Sequence, residues 1–152
     1  MTPTWMPCAL WTLTGLFLVR VAGQILVEFF HVAFLPPSKE WMSGLIPYGP
    51  LLVSQILILA LQLTICLHFL RGRGATFRRR PGLGKGLRLF GLLYLAAMII
   101  RYVIRMALYP TERWVGGSIP IFFHWVLAGF VLCLAYHHLD GNVDDRAVKR
   151  QN

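Results

Sequence analysis

The chain has 152 residues, of which 57% are hydrophobic, and it carries a formal net charge of +9 with a mean hydropathy of +0.61. This length suits one domain, and so apolar a composition excludes an ordinary soluble fold and indicates a membrane protein. The positive charge is concentrated in one connection between apolar segments, which disfavours nucleic acid as its partner.

Four apolar segments are long enough to cross a bilayer, whose hydrocarbon core needs about 20 residues of helix. Because lipid offers no hydrogen-bond partners to an open backbone, each segment is expected to be helical. The sequence therefore predicts an all-α fold, an antiparallel bundle of four transmembrane helices in a multi-pass membrane protein. The predicted spans are 9–35, 50–70, 86–109 and 119–139, followed by a polar tail at 140–152.

The first predicted span contains four polar side chains at helical spacing, Arg20, Gln24, Glu28 and His31. At about 100° per residue, these side chains occupy one narrow stripe of the helix. A charged group in hydrocarbon costs roughly 2.5–3.5 kcal/mol on insertion scales, so such groups normally face protein or water. The stripe is therefore expected to face the interior of the bundle.

The second predicted span places Gln55 and Gln62 on one face and leads into a basic, glycine-rich loop at 71–88. The positive-inside rule predicts that this loop lies in the cytoplasm, and four spans then place both termini on the same side. A bacterial inner membrane is the favoured location. Anionic lipids are expected to bind the 71–88 loop, at about 1 kcal/mol per basic side chain.

The third predicted span carries Tyr94, Arg101 and Arg105 on one side, and the fourth carries His124. Counted from the predicted outer ends of the spans at ~1.5 Å per residue, Arg101 lies at the same depth as Glu28. An unpaired carboxylate at that depth should take up a proton, so the sequence predicts an ion pair between Glu28 and Arg101.

Arginines outnumber carboxylates inside the predicted spans, which predicts a polar cavity for an anionic group in the outer half of the bilayer. A guanidinium suits this role because it can donate two parallel hydrogen bonds to a phosphate or a carboxylate. Other polar side chains are assigned to a structural network. The predicted ligand-binding residues are Glu28, His31, Gln55, Arg101, Arg105 and His124, and the predicted network is Arg20, Gln24, Gln62 and Tyr94.

Two alternatives to an anion-binding or accessory membrane protein stay open. His31 and His124 have matching depths on the first and fourth spans, where they would be the axial ligands of haem b in an electron-transfer subunit. The second alternative is a purely structural membrane subunit. The preferred interpretation requires no cofactor. The sequence does not place a nucleophile beside a base, a pattern that would indicate an enzyme, so an enzyme is not the favoured interpretation. So small a bundle is expected to act as a homo-oligomer or beside a larger membrane partner.

Overall fold

The protein is built from four helices, each with an apolar stretch long enough to cross a membrane, as its computed structural model shows. The all-α prediction and the prediction of a four-helix membrane bundle are confirmed. The structure describes residues 4–32, 34–37, 41, 47–109 and 119–149. Within these residues the helices are α1 at Trp5–Phe30, α2 at Tyr48–Leu70, α3 at Pro81–Leu108 and α4 at Ile119–Lys149.

The ends of the helices differ from the ends of the predicted spans. Helix α1 stops at Phe30, short of residue 35, because His31 adopts a left-handed backbone conformation with φ 50° and ψ 42°. Helix α3 begins at Pro81, where proline is tolerated because an N–H in the first turn has no partner within the helix. Helix α4 continues beyond residue 139, the predicted start of the polar tail, to Lys149.

The helices alternate in direction and lie in the spatial order α2, α1, α4, α3. Aromatic contacts fix the direction, since the Trp5 ring at the start of α1 lies 5.9 Å from that of Tyr136 late in α4. Helix α1 packs against α2 and α4, and α4 packs against α3. The α2 and α3 backbones do not approach each other, and we call the space between them the open seam.

Apolar side chains fill the end of the bundle nearest the 71–80 connection, which we call the basic end after the arginines in that connection. Leu87 of α3 and Phe77 of the connection are partly buried and pack against this apolar cluster. The buried members of this cluster are Met6, Leu10, Ile65, Cys66, Phe69, Phe130 and Leu134.

Helix α3 packs closely against α4 at two glycines. Gly84 and Gly91 are its buried residues, and both face α4. A Cβ atom on Gly84 would lie 2.9 Å from the Cβ of His138, and one on Gly91 would lie 2.8 Å from a methyl carbon of Leu132. Small residues permit this close approach, which is a usual source of helix association in membranes.

Candidate functional site

A cavity of about 160 Å³ lies between the helices, and all four of them contribute to its walls. Polar groups from distant parts of the chain therefore share one enclosed space. The polar residues of the lining are Arg20, Ser54, Gln55, Tyr94 and His124, and the apolar residues are Phe17, Leu51, Ile58, Pro120, Phe123 and Leu127.

Arg20 is the charged residue of this lining, and it is 6% exposed. Its guanidinium carbon lies 5.5 Å from the centre of the Phe123 ring. No residue that the structure describes forms an ion pair or a hydrogen bond with Arg20, and its Nε is buried without a partner. An arginine stays protonated in proteins, so the cavity holds a full positive charge without a counter-charge.

Tyr94 and His124 form one wall of the cavity. The Tyr94 hydroxyl is hydrogen-bonded to Nδ1 of His124, and the two rings meet edge to face with centres 5.7 Å apart. Phe90 stacks on the other side of the Tyr94 ring, with centres 5.8 Å apart. Both rings lie within electrostatic range of Arg20. The rings of Tyr94 and His124, held together by their hydrogen bond, therefore both lie near the positive charge of Arg20.

A chain of hydrogen bonds runs from the cavity lining to the 31–47 connection. Nε2 of Gln55 donates to Oε1 of Gln24 at 2.8 Å, and Nε2 of Gln24 donates to the carbonyl oxygen of Trp41 at 2.9 Å. The indole nitrogen of Trp41 donates to the carbonyl oxygen of Pro36 at 2.9 Å. The indole also lies against Gly23, where a Cβ atom would come within 2.6 Å of it. Trp41 is thus built into the bundle.

Replacing Gln24 with leucine is expected to destabilise the protein by about 1–3 kcal/mol, because the Gln55 amide and the Trp41 carbonyl are left buried without partners. Thermal unfolding in detergent measures the loss, and iodide quenching of tryptophan fluorescence reports release of Trp41. Gln55→Leu is the matched single variant. The double variant should lose less stability than the sum of the losses in the two single variants, because the hydrogen bond between Gln55 and Gln24 is then removed with both of its partners. Simple additivity would contradict the hydrogen bond.

The residues that line the cavity come from both predicted sets. Gln55 and His124 were predicted as ligand-binding residues, whereas Arg20 and Tyr94 were assigned to the structural network. The structure brings these four side chains together. The candidate site is therefore centred on Arg20, nearer the middle of α1 than the predicted site.

The other four predicted ligand-binding residues do not line this cavity. Their positions lie toward the end of the bundle opposite the basic end. Glu28 is half-buried within electrostatic range of Tyr48, His31 is exposed at the end of α1, Arg101 is half-buried on α3, and the guanidinium carbon of Arg105 lies 5.6 Å from the centre of the Tyr109 ring.

The predicted ion pair between Glu28 and Arg101 does not form among the residues that the structure describes. The physical reason is the order of the helices. Helix α4 lies between α1 and α3, so two side chains at similar depth on α1 and α3 are separated by the width of a helix. The similar depths of Glu28 and Arg101 would bring them into contact only if α1 and α3 were neighbours, and they are not.

The four residues of the predicted network do not form one network. Gln24 belongs to the chain with Gln55, and Tyr94 belongs to the cavity wall with His124. Gln62 is 3% exposed, and both polar atoms of its amide are buried without a hydrogen-bond partner. No single network therefore connects these side chains across the described part of the bundle.

The histidines of the haem alternative lie in different surroundings. His124 lines the cavity and is hydrogen-bonded to Tyr94, whereas His31 is exposed and does not line it. Two axial ligands must approach one iron from opposite sides of the same space. Because His31 and His124 do not face one common space, this arrangement does not fit a haem held by the two side chains.

Comparison with known proteins gives no relative from which an activity could be transferred. No protein-family model matches the sequence, and neither a curated protein nor a solved structure matches it at a significant level.

Proposed function

We propose that this multi-pass membrane protein is a binding protein, which holds an anionic group against Arg20 in the cavity between its four helices. The observation that carries the proposal is the buried guanidinium, which adjoins the cavity and has no counter-charge among the residues that the structure describes. A lone buried charge is strongly unfavourable, and pairing it with an opposite charge relieves that penalty.

The electrostatic surroundings favour an anion over a cation or a neutral ligand. No carboxylate among the described residues lines the cavity, and Arg101 as well as Arg20 lies within electrostatic range of the His124 ring. In surroundings of low dielectric constant, such charges attract an anion far more strongly than they would in water. A guanidinium can donate two parallel hydrogen bonds to a phosphate or a carboxylate, which would also satisfy the unpartnered Nε.

The proposed orientation follows from the charges at the basic end. We propose that this end lies in the cytoplasm of a bacterial inner membrane, with anionic lipids bound at the segment 71–88, which comprises the 71–80 connection and the first residues of α3. The density of arginines in that segment supports the orientation through the positive-inside rule. The exposed apolar surface of α3 would then face lipid or a membrane partner, such as a second copy of the chain.

Native mass spectrometry of the purified protein tests the proposed anion site. Wild-type protein in neutral detergent, titrated with inorganic phosphate or with phosphatidic acid, is expected to retain an anionic adduct that Arg20→Gln loses. Arg105→Gln is the matched control, because Arg105 is an arginine of α3 that does not line the cavity and lies outside the basic segment 71–88. Equal adducts on wild type and Arg20→Gln, or none on either, would overturn the proposal.

A further inference from the structure

We infer that the anionic group belongs to a membrane amphiphile with a phosphate monoester head, which reaches Arg20 sideways through the open seam between α2 and α3. This inference rests on the proposed function, because it names the class of ligand for the same cavity. Three observations support it: the size of the cavity, the position of its opening and the free acceptor at Gln55.

The size of the cavity limits how much of a ligand it can enclose. Pockets that bury most of a drug-sized ligand have volumes of about 300–1,000 Å³. At about 160 Å³, this cavity has room for a small head group but not for a hydrocarbon chain. A ligand larger than a free ion must therefore keep most of its mass outside the cavity.

The open seam is where the remainder of such a ligand would lie. The seams of α1 with α2, of α1 with α4 and of α3 with α4 are packed, and Leu87 of α3 packs against the apolar cluster at the basic end. Helices α2 and α3 both line the cavity without packing against each other. On the α2 side the lining comprises the buried Gln55, the exposed Ser54 and the apolar Leu51 and Ile58. An apolar edge beside lipid suits an acyl chain, whereas a free ion would gain nothing from it.

Gln55 presents a hydrogen-bond acceptor whose orientation is fixed by the chain of bonds behind it. The Trp41 carbonyl can only accept, so Gln24 must donate to it with Nε2 and accept with Oε1. Gln55 must then donate to Gln24 with its own Nε2, which leaves Oε1 buried and without a partner. Gln55 is 2% exposed, so a ligand that satisfies Oε1 must bring an O–H or N–H group into the cavity.

A phosphate monoester supplies both the anion and the donor. Its second ionisation lies near pH 6, and a surrounding of low dielectric constant disfavours a second negative charge. The singly charged form balances the one charge of Arg20 and keeps a P–OH group that can donate to Oε1 of Gln55. A carboxylate or a phosphate diester without a hydroxyl group balances the charge but leaves this acceptor unsatisfied.

Thermal unfolding in nanodiscs of neutral phosphatidylcholine tests the class of ligand. The bilayer is doped with phosphatidic acid, a monoester, or with phosphatidylmethanol, an anionic diester with the same two chains and no P–OH. A third series adds only inorganic phosphate to the buffer. We expect phosphatidic acid to raise the Tm of the wild type at roughly tenfold lower mole fraction than phosphatidylmethanol, from the one additional hydrogen bond.

A substitution at the open seam tests the route. Ser54→Trp places a large side chain at the opening, and because Ser54 also lines the cavity, it should reduce stabilisation by phosphatidic acid and by inorganic phosphate. Leu57→Trp is the matched control, because Leu57 is 66% exposed on the same helix and does not line the cavity. This control should respond to both anions as the wild type does.

The outcomes separate the two proposals. Equal effects of the two lipids would overturn the monoester, and a full response of Ser54→Trp to phosphatidic acid would overturn the route. Stabilisation by inorganic phosphate alone would leave the Arg20 site intact and identify a free anion as its ligand. If no anion stabilises the wild type more than Arg20→Gln, the proposed function itself is wrong.

Discussion

Arg20→Met is expected to make the empty protein more stable and to abolish its stabilisation by phosphatidic acid. The substitution replaces an uncompensated buried charge with an apolar side chain of similar length beside Phe123. Replacing buried ionic groups by well-packed apolar residues often stabilises a protein by about 1–4 kcal/mol. The Tm in phosphate-free detergent measures the first effect, and the Tm in doped nanodiscs measures the second.

Arg105→Met is the control for a general effect of removing positive charge, because Arg105 does not line the cavity and lies outside the basic segment 71–88. It should leave both measurements close to those of the wild type. A marked loss of stability in Arg20→Met would contradict the anion site, since it would show that the contact with Phe123 holds the fold. If Arg20→Met is more stable than the wild type but is not stabilised by phosphatidic acid, this is the behaviour expected of a residue that serves binding at the expense of stability.

Gly84→Leu is expected to release α3 from the bundle and to prevent recovery of folded protein. The edge that joins α3 to α4 has no room for a side chain at Gly84, where a Cβ atom would lie 2.9 Å from the Cβ of His138 and 3.2 Å from the carbonyl oxygen of Ala135. Overpacking of a core by a few methylene groups costs roughly 1–3 kcal/mol, and a clash with backbone costs more. Size-exclusion chromatography and circular dichroism in detergent measure the yield of folded protein.

Gly86→Leu is the matched control, since Gly86 is on the same helix and a Cβ atom there meets nothing within 4 Å. The control should fold normally and gain about 0.5–1 kcal/mol from improved helix propensity. Gly91→Leu should be intermediate, because its nearest neighbours are the flexible ends of Leu132 and Val131. Equal behaviour of the Gly84 and Gly86 variants would contradict the glycine contact between α3 and α4.

The four helices could be predicted because their signal is local. Each apolar stretch exceeds the thickness of a bilayer core, and composition alone reveals that. The ends of the helices depend on single residues, and they were less predictable. The left-handed conformation of His31 ends α1 before Pro36, although histidine carries no strong signal for a helix end.

The candidate site could be predicted only in part, because periodicity gives the face of each helix and its depth but not which helices are neighbours. Arg20 and Tyr94 were recognisable as inward-facing groups, and both line the cavity. The assignment of Glu28 and Arg101 to a common pair assumed that α1 lies beside α3, which it does not. Which helices are neighbours depends on contacts between residues far apart in the sequence, and the local pattern of any one segment does not reveal it.

Trp41 is the residue of the site region whose position was hardest to predict from the sequence. Tryptophan near the end of a span is typical of the lipid–water boundary. The structure instead buries its ring against Gly23 and uses its carbonyl oxygen to orient Gln24. The small size of Gly23 was the only feature in the sequence that permitted this contact, and glycine is frequent in transmembrane helices whether or not an indole packs against it.

Within the described residues, the backbone of α3 approaches α4 but neither α1 nor α2, and this has a mechanical consequence. A rigid-body tilt of α3 would change the aperture facing lipid while α1, α2 and α4 kept their mutual contacts. Such a tilt breaks the bond between Tyr94 and His124 but spares the chain from Gln55 to Trp41. Access to the cavity from the side of α3 would then change while the other three helices keep their packing.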